Sequence, residues 1–102
     1  MKKVLIAEDE ASIREFIVIN LKRSGYDVVE AENGEEAINK YEEENGNIDV
    51  AVLDIMMPLK DGLEVCKYLR EKSSKIGIIM LTANNERKRK SRSRKPGSYN
   101  SR

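Results

Sequence analysis

The chain of 102 residues has no histidine, one cysteine and one phenylalanine. Without histidine, a Ser–His–Asp type of triad and a histidine-ligated metal site are both excluded. The lone cysteine, Cys66, excludes an internal disulfide and fits a reducing compartment. It falls within a helical pattern, where the expected role is a small buried hydrophobe and not a reactive thiol. No apolar run approaches the roughly 20 residues that cross a bilayer. Met1-Lys-Lys leads directly into a run too short for a signal-peptide core. The expectation is a cytoplasmic protein.

What the chain has is charge. Charged residues make up 36% and hydrophobic ones 39%, a lean composition for a globular domain. The length suits one domain with one modest core. The net charge of +1 conceals a division. Residues 1–83 carry eleven bases against seventeen acids, a balance of −6, and residues 84–102 carry eight bases and one acid, a balance of +7. An acidic body bears a basic tail.

Four short apolar runs punctuate the body: residues 2–7 (KKVLIA), 27–31 (DVVEA), 50–53 (VAVL) and 77–81 (GIIML). Each reads as a strand of a parallel sheet, buried on both faces. Helical spacing separates them. Over residues 12–23 it sets Ile13, Phe16, Ile17 and Leu21 on one stripe, with Ser12-Ile-Arg-Glu15 as a candidate capping box and Gly25 as the stop. Asn33 is placed to cap a second helix with Glu36 three residues on; Ala37, Ile38 and Tyr41 form its inner stripe, and Asn45-Gly46 ends it. After Pro58 and Asp61-Gly62, a third helix carries Leu63, Val65, Cys66 and Leu69 and ends near Ser73-Ser74.

Strict alternation of strand and helix predicts a parallel sheet with right-handed crossovers. The residues that follow each strand then share one edge, where open α/β sheets bind ligands. Glu8-Asp9, Asp54 and Thr82 all stand at such ends. Taken singly, the acids are turn residues and the threonine a strand-terminal cap. Taken together they form a candidate site.

Lys3-Val-Leu-Ile-Ala-Glu8-Asp9-Glu10, Leu53-Asp54-Ile-Met-Met-Pro58, Asp61-Gly62 and Leu81-Thr82-Ala83 resemble the motifs of the receiver domain of bacterial two-component response regulators. The resemblance covers residues 1–83. It implies a flavodoxin-like (CheY-like) doubly wound parallel α/β sheet, here incomplete: four strands and three helices, with the fifth strand and last two helices missing. It implies a signalling module and not an enzyme. Asp54 would be the phosphoacceptor in a phosphorelay, and the donor a phosphohistidine on a sensor histidine kinase. Thr82, and the amide of Ala83, would contact the phosphoryl group. Mg²⁺ would be held by Asp9 and Asp54, by Glu8 directly or through water, and by the main-chain carbonyl of Met56. Three carboxylates at one edge repel one another unless a cation sits among them, and an all-oxygen set suits Mg²⁺. A phosphatase of the haloacid dehalogenase type also sets an Asp after a strand beside Mg²⁺. It requires a second Asp two residues on, where this chain has Met56.

Beyond Ala83 the motifs stop. Residues 84–102, NNERKRKSRSRKPGSYNSR, hold one aromatic, Tyr99, and no aliphatic residue or periodicity, a composition expected to be disordered. Lys95-Pro96 imitates the family's Lys-Pro pair, but no apolar strand precedes it. One explanation is a truncated or frame-shifted product whose body retains only part of the receiver. The other is a basic arm that contacts nucleic acid through phosphates. A body lacking its last elements would expose a sheet edge, a route to weak self-association. It could also serve as an interaction or sequestering fragment without phosphotransfer. Larger relatives of such a body join it to DNA-binding domains, which makes transcription control the expected output of a parent protein.

Overall fold

The computed structural model describes residues 2–81. Seven elements alternate without exception: β1 (Lys3–Ala7), α1 (Ala11–Arg23), β2 (Asp27–Ala31), α2 (Gly34–Glu43), β3 (Val50–Asp54), α3 (Gly62–Lys72) and β4 (Gly77–Leu81). Among the described residues the strands form one sheet in the order β2-β1-β3-β4, all parallel. This is the four-strand, three-helix parallel arrangement expected from the sequence. The expected lack of a fifth strand and of two further helices, the basic tail and the Thr82–Ala83 pair all concern residues outside those described.

The period of two along each strand divides the apolar side chains between two cores. Leu5, Ala7, Ala51 and Leu53 point to one face, where Ala37 and Tyr41 of α2 and Val65 and Leu69 of α3 cover them. Val4, Ile6 and Val52 point to the other, against Val18 of α1, with Ile17 and Leu21 partly buried beside them. Helices on both faces make the sheet doubly wound. Leu5, Leu53 and Leu69 are fully buried, and each contributes about 2 kcal/mol by removing its side chain from water.

Two details of α1 differ from the sequence reading. The helix begins at Ala11 with Glu10 as N-cap and no side-chain capping bond, so Ser12 lies inside the helix and the Ser12–Glu15 box does not form. The reason is that β1 is followed at once by the helix: the Glu10 carbonyl already accepts the Arg14 N–H at 2.9 Å. Phe16 does not belong to the buried stripe and is 69% exposed, because Val18 takes the position facing the sheet. α2 follows expectation, and so does α3 except at Leu63, which is 61% exposed while Val65 and Leu69 face the core. Asn33 accepts the Glu36 N–H at 2.7 Å and caps α2. Cys66 is half-buried against the α2–α3 core, as a small hydrophobe.

Candidate functional site

The centre of the sheet is where the chain parts in two directions. From β1 it crosses by α1 to β2 on one side, and from β3 it crosses by α3 to β4 on the other. Crossovers that diverge leave a crevice beyond the carboxyl ends of the two central strands. Ala7 pairs with Leu53 in the β1–β3 register, so Glu8 and Asp54 follow as neighbours at that crevice. One carboxylate oxygen each from Glu8, Asp9 and Asp54 lies within 4.8 Å of the others. Glu8 is 1% exposed and Asp54 3%, whereas Asp9 is half-buried.

The segment that carries Glu8 and Asp9 is fixed by hydrogen bonds. The Glu8 N–H donates to the Ala31 carbonyl at 3.1 Å. The Glu8 Oε2 accepts the Glu10 N–H at 2.9 Å. The Glu8 carbonyl accepts Nη1 of Arg14 at 2.7 Å, and Nε of the same guanidinium faces Glu30 at 3.4 Å.

The segment after Asp54 is fixed by close approach. A methyl group on Gly62 would stand 2.9 Å from the Asp54 carbonyl carbon and overlap its oxygen. The Gly62 N–H donates to the Ile55 carbonyl at 2.9 Å. Gly34, the first residue of α2, is pressed in the same way against the Lys60 carbonyl, and a methyl there would overlap that oxygen. Between these two contacts Leu59 takes a φ of +71°, in the left-handed region that costs a branched side chain energy. Asp61 then opens α3 with a complete capping box: its side chain accepts the Glu64 N–H at 2.9 Å, and the Glu64 side chain accepts the Asp61 N–H at 3.2 Å. Asp54 thus ends a strand whose following loop is pinned by two glycines and a capped helix.

Of the residues singled out from the sequence, Glu8, Asp9 and Asp54 come together. Met56 is half-buried in the pinned loop. Thr82 lies outside the described residues; Leu81 just before it pairs with Asp54 in the β3–β4 register. Sequence reasoning missed three contributors. The Asp61–Glu64 box was visible as an Asp followed three residues later by a Glu. The close contacts of Gly34 and Gly62 had only glycine itself as a signal. Arg14 had none, since a basic residue early in a helix reads as solvent-facing.

The donor set has the chemistry of a hard-cation site. Carboxylate oxygens alone, gathered this closely and largely removed from water, repel one another and gain most from a divalent ion such as Mg²⁺. The residues present fit such an ion.

Comparison with known proteins agrees. The model of the response regulator receiver domain matches residues 4–100, a span that runs past the last motif recognised in the sequence. The alkaline phosphatase synthesis transcriptional regulatory protein PhoP of Bacillus subtilis is 51% identical over 85 residues, covering 83% of this chain and 35% of that protein. The chain therefore spans about a third of the length of the curated relatives it matches. Among solved structures, the response regulator TrrA in complex with the histidine kinase ThkA superposes with a TM-score of 0.73 at 46% identity, over 81% of this chain and 70% of that one. TrrA from Thermotoga maritima in complex with Mg²⁺ and BeF gives a TM-score of 0.70 at 32% identity, over 90% and 97% of the two chains. With the doubly wound sheet and the acid-lined crevice at its centre, these likenesses settle the family: the chain belongs to the receiver domains of two-component response regulators.

Proposed function

We propose that Asp54 is the residue phosphorylated, that Glu8, Asp9, Asp54 and the carbonyl of Met56 hold Mg²⁺, and that the donor is a phosphohistidine of a sensor kinase. One observation carries the reading: three carboxylates from two separate strand ends share a space of 4.8 Å, two of them almost fully buried. Solvated surface acids have no reason to be gathered so closely.

In the reaction an Asp54 oxygen attacks phosphorus, the P–N bond of the phosphohistidine breaks, and the imidazole nitrogen leaves with the electron pair and takes up a proton. An acyl phosphate remains on Asp54. Mg²⁺, when bound, offsets charge on the transferring group. The chain's own contribution is placement. Gly62 fixes the main chain of Asp54, and the bonds around Glu8 fix the opposite wall. Thr82 follows the strand that pairs with Asp54 and supplies the hydroxyl that contacts the added phosphoryl group. The TrrA–ThkA complex and the Mg²⁺–BeF complex of TrrA support the partner and the ion by likeness. The receiver body ends near Ala83, where composition turns basic, and in a protein built like PhoP it would relay its phosphorylation state to transcription.

Incubation of the full chain with acetyl phosphate and Mg²⁺, followed by intact-mass analysis, tests this. The wild type gains the mass of one phosphoryl group, and Asp54→Asn gains none. An unmodified wild type would leave an interaction module without phosphotransfer, and equal labelling of Asp54→Asn would move the acceptor to another residue.

A further inference from the structure

Arg14 holds the end of β1 from the side of β2, away from β3 and Asp54. It lies in the first turn of α1, and its side chain, 18% exposed, turns back toward the end of β1. Nη1 donates to the Glu8 carbonyl at 2.7 Å, and Nε faces the carboxylate of Glu30, on β2, at 3.4 Å. One guanidinium therefore joins a helix, the end of a central strand and the neighbouring strand.

The acceptor matters more than the number of bonds. The Glu8 carbonyl belongs to the planar peptide unit whose nitrogen is that of Asp9. Holding that oxygen, while Ala31 holds the Glu8 N–H from β2, fixes the plane from which the Asp9 side chain departs. The planar fork of an arginine serves the carbonyl and Glu30 from two separate nitrogens, in a fixed geometry that a single ammonium lacks.

On charge alone the choice is unfavourable. A cation beside a cation site repels the incoming ion, so losing it would tighten metal binding. A retained arginine must offset that repulsion by geometry. We propose that Arg14 is a positioning residue for the divalent-cation site: it orients the Glu8–Asp9 peptide so that the carboxylates of Glu8 and Asp9 meet that of Asp54. The proposal rests on the metal reading given above.

The two effects of removing Arg14 have opposite signs, and this makes the test decisive. Calorimetric titration of the full chain with MgCl₂ compares the wild type with Asp9→Asn, Arg14→Met and Arg14→Lys, each checked for native secondary structure by circular dichroism. Asp9→Asn abolishes binding. Arg14→Met raises Kd roughly tenfold, the loss usual for residues that orient metal ligands. Arg14→Lys keeps the charge and still raises Kd several-fold. A Kd for Arg14→Met at or below that of the wild type overturns the proposal, as does full affinity in Arg14→Lys, which also decides the matter should Arg14→Met not fold. Absence of any Mg²⁺ signal from the wild type would refute the metal reading itself and this inference with it.

Discussion

Tyr68 shows how a single side chain can make this domain sensitive to alkali. Its hydroxyl donates to the Glu42 carboxylate, joining α3 to α2, and its ring meets that of Tyr41 edge-on with centroids 6.4 Å apart. The bond to Glu42, then burial, then the negative charge of Glu42, push the phenol up to about 12 from the ordinary 10. A folded-state value above the unfolded one favours folding at full strength below pH 10, and the gain is lost as pH rises toward 12. Lys3 acts in the same sense: its bond to Glu44, at 2.5 Å, raises its value above 10.5, so its contribution also falls away at high pH. Tyr68 should therefore ionise late in a near-ultraviolet absorbance titration of the native protein. Tyr68→Phe should remove that late phase; a late phase that survives the substitution would place it elsewhere. The acids of the crevice were legible from sequence because acids directly after apolar strands are unusual in kind and place. The Tyr68–Glu42 bond was not, since it depends on how two helices lie side by side.

Among the elements, α3 is the helix with a complete capping box, set by its N-cap Asp61. The Asp61–Glu64 box satisfies two main-chain donors at once, and the capped end adjoins the loop that carries Met56. Asp61→Ala should cost about 1 kcal/mol in a urea melt. A cost near zero would mean that solvent replaces the box. The strands were the most legible elements: β2 and β4 have the bounds their apolar runs suggest, since short β-branched runs ended by turn residues admit few alternatives. α1 was the least legible. Its apolar residues occupy more than one stripe, and only the sheet beneath decides that Val18 faces inward while Phe16 and Ile19 stay exposed.

At the scale of the molecule, the alternation of elements was enough to foresee the parallel sheet, because a crossover between parallel strands has one common hand. Meeting acidic ends further requires β1 beside β3, but leaves the outer places of β2 and β4 open. What alternation does not reveal is the packing of the Lys60 carbonyl on Gly34 and of the Asp54 carbonyl on Gly62, where no side chain fits. Gathered carboxylates also set a stability prediction. Mg²⁺ that binds only the folded crevice should stabilise it by about 1.4 kcal/mol at ten times its Kd, which in a domain of this size raises Tm by roughly 6–11 °C. A thermal melt followed with and without MgCl₂ measures this, and a Tm indifferent to the ion speaks against the cation site.

Glu8 and Asp54 are brought side by side by the β1–β3 pairing, across a long stretch of intervening chain. The crevice consequently has no local precursor: neither βα unit carries more than one wall of it, and helices can form without it. If the proposed site holds an ion, its affinity would gauge whether the two halves of the sheet have closed on each other. An ion held there, as proposed, would act as a rivet across that seam, so a chelator should lower the stability of the two halves together.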